Sequence, residues 1–273
     1  MYREKTAYGQ DPQKVVRSKN KTFNAPLYLA KKYPPGQRIF CCSWSDFFIE
    51  EADEWRAEAW DLIARTPNHN YLILTKRPER IEKCLPYDWY NKTPYYPNVW
   101  LGVTAENQEQ ADMRIPILLQ IPAAKRFISA EPMLGQVDLT KVGGDRFGWG
   151  RIDALNGLQY LRANALEEGC EWETASCAKL DCVICGGETG ARARPMHPNW
   201  VRSLRDQCIS AGVPFFFKQW GEWGWYQGGH PRGSNYPSLF VKGEFDVWMV
   251  RVGKNQSGRL LDGREWNGIP EVG

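Results

Sequence analysis

A parallel βα barrel or part-barrel of the TIM type, with a C-terminal β-hairpin extension, is the α/β fold this sequence predicts. Three observations point there. Six short β-branched or aromatic runs read as buried strands, their starts recur at about the 30-residue length of one βα unit, and amphipathic helical patterns fill several gaps between them.

The runs are residues 38–43 (RIFCCS), 71–76 (YLILTK), 99–103 (VWLGV), 126–130 (RFISA), 180–185 (LDCVIC) and 213–218 (VPFFFK). Near-continuous apolar character, rather than strict alternation, marks a parallel strand covered on both faces. Their starts lie 33, 28, 27, 54 and 33 residues apart, so all but one interval suit a single crossover. After the first run, residues 51–65 place Trp55, Ala59, Leu62 and Ile63 on one helical stripe. Before the sixth, residues 199–211 put Val201, Leu204 and Cys208 on one face, with Pro198 suited to the first turn and Gly212 to the stop. The long interval holds an insertion, about 141–179, that opens on GGDRFGWG and is expected as an excursion on the barrel surface. After Trp220 the texture changes to a Gly/Trp/Pro loop, followed by residues 245–252 (FDVWMVRV), a turn at GKNQSG, and RLLDGREW. These read as an appended hairpin. Two domains are expected: a barrel over residues 1–220 and an extension over residues 221–273.

Composition narrows the classes. The 273 residues carry 35 basic and 32 acidic side chains, and the resulting +3 is too balanced to select a partner. With 42% hydrophobic and 25% charged residues, a packed core is expected rather than disorder. No apolar run approaches the roughly 20 residues that cross a bilayer, which excludes a helical membrane span. The opening MYREKTAYGQDP lacks the apolar centre of a secretory signal, so a cytoplasmic location with mostly free thiols is expected. No Walker phosphate loop, dinucleotide fingerprint, HExxH or nucleophile elbow occurs, which disfavours several common enzyme classes.

In parallel α/β folds, reactive groups collect at the carboxyl ends of strands. Here those ends are polar throughout. The first run leads to Ser43, Ser45 and Asp46, the second to Thr75, Lys76 and Arg77, the third to Thr104, Glu106 and Asn107, and the fourth to Ser129 and Glu131. The fifth opens into Gly186-Gly187-Glu188-Thr189-Gly190, with Arg192, Arg194 and His197 beyond, and the sixth ends in Lys218, Gln219 and Trp220. One shared mouth carrying Asp46, Lys76, Glu106, Glu131, Glu188 and Lys218 is expected, against the alternative of ordinary solvated loops. Asp46, Lys76, Glu131, His197 and Lys218 are the candidate catalytic residues; Gly186, Gly187, Glu188 and Arg77 are the candidate cofactor-binding residues. The paired glycines of GGETG let backbone N–H groups approach a ligand, though a tight strand-to-helix turn needs glycine equally. Lys76-Arg77 suits a phosphate or carboxylate clamp or a salt-bridged rim. His197 suits either acid/base work or the capping of the helix that follows.

Cys182 and Cys185 have CxxC spacing, but within a strand such positions point to opposite faces, so buried thiols are expected rather than a metal knuckle. A zinc site that adds Cys170 and Cys177 is the alternative. Cys41, Cys42, Cys84 and Cys208 read as core or helix-face residues.

Taken together, YGQDPQKVVRSKNKTFNAPL, FCCSWSDFFIEEADEWR, ILTKRPERI, NVWLGVTAENQEQAD, RFISAEPMLGQVDL, VICGGETGARARPMHPNWVRSLRDQC, VPFFFKQWGEW and RVGKNQSGRLLDGREW closely resemble a phage and bacterial family of unknown function. It is named after two phage gene products, Gp-thirty-seven and Gp-sixty-eight. The resemblance runs from about residue 8 to residue 270. Members look like radical S-adenosylmethionine enzymes, in which a βα barrel follows a three-cysteine motif that holds a four-iron, four-sulfur cluster with one iron open to the cofactor. The resemblance therefore implies S-adenosylmethionine and a [4Fe-4S] cluster as cofactors, and a nucleic acid or another large phage-related substrate. Met1-Tyr2-Arg3 stands about where the cysteine motif would finish, so the cluster ligands are expected to be absent from this chain, through a late start or a true loss. The other readings are a cluster-free nucleic-acid-binding barrel and a metal-assisted hydrolase using Asp46, Glu131 and Glu188.

Overall fold

The structure, a computed structural model, describes residues 2–3, 15–32, 36–42, 45–91, 96–144, 150–162, 172–225, 237–241 and 246–271. The chain divides into two compact units: Met1–Val103 with Gln120–Arg126 and Glu271–Gly273, and Thr104–Leu119 with Phe127–Pro270.

In the first unit, β1 (Tyr2–Arg3) pairs antiparallel with β2 (Val15–Val16), and α1 (Asn20–Phe23) and α2 (Ala25–Lys32) follow. Then come β3 (Gln37–Cys41), α3 (Asp53–Arg65), β4 (His69–Thr75), α4 (Ile81–Cys84) and β5 (Val99–Thr104). The ladders β3 to β4 and β4 to β5 are both parallel, and α3 joins the first pair as the spacing predicted. Helix α3 buries Ala59, Trp60, Leu62 and Ile63. Trp60 meets Phe47, Trp89 and Tyr96 edge-on, Trp89 stacks on Tyr96 at 5.0 Å, and the indole N–H groups of Trp60 and Trp89 donate to the carbonyls of Cys84 and Pro122. Large aromatic area is thus buried without an orphaned N–H.

Further along the chain lie α5 (Gln108–Gln120), β6 (Lys125–Ala130), β7 (Val142–Gly143), β8 (Arg151–Asp153), β9 (Leu158–Arg162) and β10 (Trp172–Ser176). After them come β11 (Cys182–Gly186), α6 (Pro198–Ser210), β12 (Phe215–Gln219), β13 (Trp223–Trp225), β14 (Ser238–Val241), β15 (Val247–Arg251) and α7 (Lys254–Ser257). Strand β11 lies between β6 and β12, parallel to both. Pro214 stays outside β12, whose ladder begins at Phe215, because proline has no N–H to give.

All six predicted runs form strands of one sheet, in the order β12-β11-β6-β5-β4-β3. Among the described residues β3 and β12 are its two ends, so the sheet is a part-barrel rather than a closed one. The outer edge of β12 is taken by the C-terminal segment: Phe217 N–H donates to the Trp266 carbonyl at 3.0 Å and Gly268 N–H to that of Phe215 at 2.9 Å. A covered edge cannot template pairing with another chain. The insertion builds its own antiparallel sheet, β10-β9-β8-β7, and the extension is a three-stranded sheet, β13-β15-β14, where a hairpin was expected.

Candidate functional site at the strand ends

Within the first unit, Asp46 is buried and fully engaged. Its Oδ1 accepts from the Phe48 N–H at 2.9 Å and the Thr75 hydroxyl at 2.7 Å; its Oδ2 accepts from the Lys76 N–H at 2.9 Å and Arg77 Nη1 at 3.3 Å. The loop after β3 is thereby tied to the end of β4. The neighbouring carbonyls of Phe47 and Ile49 are held by the buried guanidinium of Arg56, and that of Phe48 by Arg80, which also forks onto Asp53. These arginines hold Asp53 below the usual carboxylate range. Asp46 is thus joined to the backbone of Lys76 and to the side chain of Arg77.

In the second unit three carboxylates each meet a cation. Glu106, after the end of β5, pairs with Arg114 of α5 at 2.7 Å, and the same Nη1 donates to the Thr104 carbonyl at 2.7 Å. Glu131, just after β6, takes Lys218 Nζ on both oxygens at 2.8 and 2.9 Å. Since β11 separates β6 from β12, this pair bridges across the end of β11, where the ladder shifts register between Cys185 and Gly186. Gly186 makes room for the bridge: a Cβ there would sit 3.3 Å from the Glu131 carboxyl carbon.

Glu188 is bound by Arg194 three times, from the backbone N–H and Nε to Oε2, each at 2.8 Å, and from Nη2 to Oε1 at 2.9 Å. The Arg194 hydrogen bonds hold the Glu188 carboxyl below the usual carboxylate range. Because the folded value is depressed, this pair stabilises the fold above the unfolded value and ceases to do so as pH falls through the folded one. In a carboxyl-carbon NMR titration, Glu188 is expected to titrate below an ordinary glutamate and to move back up in Arg194→Ala; an unchanged value in the variant would separate the two groups.

The glycine pair is explained by packing. Gly187 N–H donates to the Gln219 carbonyl at 2.9 Å, and a Cβ on Gly187 would fall 1.9 Å from the Trp220 carbonyl oxygen. The rest of the loop is fastened to the C-terminal sheet, with Glu222 N–H on the Glu188 carbonyl, the Gly190 N–H on the Glu222 carboxylate and Arg251 on the Gly190 carbonyl. His197 is fully buried and caps α6, its Nδ1 accepting from the Asn199 N–H at 3.1 Å.

Cys182, Cys185 and Cys208 are buried thiols outside any disulfide, and Cys185 Sγ lies 3.6 Å from Met133 Sδ. Burial pushes the Cys185 and Cys208 thiols well up, away from the thiolate that metals need. Cys170 lies outside the described residues. Among the described residues no group of three or more His, Cys, Asp or Glu side chains could hold a metal ion. No helix among them is long and apolar enough to cross a membrane. Sequence reasoning missed Arg114, the partner of Glu106, whose only signal is its place on the helix that follows the third run, and it missed Arg56 and Arg80 altogether.

An α/β part-barrel with ion-paired carboxylates at its strand ends is the class of protein these features define. The chain belongs to the family described as Protein of unknown function (DUF5131), whose model matches residues 1–270. No curated protein and no solved structure shows a significant match to the chain.

Proposed function

We propose that the strand ends of the second unit hold the methionyl group of S-adenosylmethionine, in a TIM-like, radical-S-adenosylmethionine-like member of the phage Gp-thirty-seven and Gp-sixty-eight kin. The observation that carries this reading is the Glu188–Arg194 pair. A carboxylate offers about four acceptor sites and a guanidinium five N–H donors. Arg194 fills two sites on Oε2 and one on Oε1, which among the described residues leaves an Oε1 site open and Nη1 and part of Nη2 unspent. The arginine side chain is 58% exposed and the glutamate 25%, so a ligand can reach both. One acceptor beside several donors complements an ammonium beside a carboxylate, which is what a methionyl group presents. Lys218, half exposed on the Glu131 bridge, keeps one of its three donors for the same carboxylate.

The donor set fits the methionyl group. It does not fit the cluster, because the described residues bring no three thiols together, and the proposal therefore contains no radical step. When bound, S-adenosylmethionine supplies an activated carbon–sulfur bond; the residues of this chain bind and orient it. Glu188 takes the ammonium, Arg194 and Lys218 the carboxylate. Calorimetry with S-adenosylmethionine is the test. Glu188→Ala should weaken binding by about 1.5–3 kcal/mol, the range for a hydrogen bond to a charged group. Equal affinity in the variant would remove Glu188 from the site.

A further inference from the structure

Charge is unevenly spread along this nearly neutral chain. Residues 12–45 contain seven basic side chains, Lys14, Arg17, Lys19, Lys21, Lys31, Lys32 and Arg38, and not one Asp or Glu. Because the whole chain is +3, the remainder carries 3 − 7 = −4. A run of this sign is an electrostatic footprint independent of the strand-end site.

The simplest alternative is that α3, rich in acid, neutralises the run. The contacts say otherwise. Glu58 does take Arg17, which also lies over the Phe23 ring at 4.0 Å. Of the other acids of α3, Asp53 is spent on Arg56 and Arg80 and Asp61 on Arg65, while Glu54 stands exposed with no ion pair among the described residues. Lys19 and Lys21 of the α1 region are exposed, as is Arg38 on the end strand β3, whose guanidinium lies 6.0 Å from the Trp100 ring. Two aromatic side chains of the same stretch of sequence stand out to solvent, Tyr28 on α2 at 63% and Phe40 on β3 at 45%.

We infer that the exposed side chains of α1, α2 and β3 bind single-stranded nucleic acid, with Lys19, Lys21 and Arg38 on phosphates and Tyr28 and Phe40 as stacking surfaces for bases. Cations interleaved with exposed rings are what a strand with unpaired bases requires. An anionic membrane would also attract the charge, but it needs an apolar helical face, and in α2 Pro26 is buried and Leu27 half-buried against the protein.

Fluorescence anisotropy of the full chain with a labelled oligothymidylate of about twenty nucleotides, titrated at several salt concentrations, tests this. Each phosphate contact on a single strand contributes about −0.7 to the slope of log affinity against log salt. Lys19→Ala with Lys21→Ala should therefore flatten the slope by about 1.4, and Tyr28→Ala should weaken binding about fivefold or more. Lys254→Ala, in the second unit, should leave the slope nearly as it was. No binding at low salt, or an equal flattening by Lys254→Ala, would overturn the inference. So would loss of binding to phosphatidylserine vesicles in the double variant with oligonucleotide binding intact, since the surface would then be a membrane site.

Discussion

Gly187→Ala is expected to cost about 3 kcal/mol or more of stability, without any ligand present. The added methyl would stand 1.9 Å from the Trp220 carbonyl oxygen and 2.5 Å from its carbon, and both are backbone atoms that no rotamer change can move. Across the same crossing, Gly221 has φ +83° and a Cβ there would lie 2.2 Å from the Glu188 carbonyl oxygen, so two main chains meet with no space for a side chain on either. Gly186→Ala is the contrast. Its methyl would meet the Glu131 carboxyl at 3.3 Å, a side chain that can shift. Thermal unfolding of the two variants should show a large fall in Tm for the first and a small one for the second. If Gly187→Ala folds with native stability and merely loses affinity for a ligand, the glycine serves the ligand and the packing account is wrong.

Asp46→Ala should destabilise the chain by roughly 3–4 kcal/mol, because it strips the acceptor from several donors that the fold has taken out of water. The Phe48 and Lys76 N–H groups, the Thr75 hydroxyl and Arg77 all lose it at once. Asp46→Asn keeps one acceptor oxygen but turns an amide N–H toward these donors, so an intermediate loss is expected. Urea unfolding checks both variants. A stability within about 0.5 kcal/mol of wild type for Asp46→Ala, the scale of an ordinary surface change, would contradict the keystone role.

These two residues also show where sequence reading stops. The six strands were legible because parallel strands are covered on both faces and so read as continuous apolar runs. α3 and α6 were legible because one buried face leaves a stripe. The short, half-exposed strands of the insertion carry no such pattern, and residues 141–179 suggested only an excursion where an antiparallel sheet stands. The polar strand ends were legible as residue types but not as partners. Asp46 meets Thr75 across 29 positions and Glu131 meets Lys218 across 87, distances in sequence that only the completed sheet closes. His197 shows the same limit: a histidine before Pro-Asn is compatible with acid/base chemistry or a cap, and its burial against the start of α6 is a tertiary fact.

On the proposed reading, a zwitterionic cofactor meets the second unit at Glu188, Arg194 and Lys218. Amide hydrogen exchange with and without S-adenosylmethionine reads that location directly. Protection is predicted for the backbone from Gly187 to Arg194 and around Glu131 and Lys218, with the same pattern weakened in Arg194→Ala. Saturating S-adenosylmethionine that leaves exchange in these segments unchanged, or that protects only other parts of the chain, would contradict it.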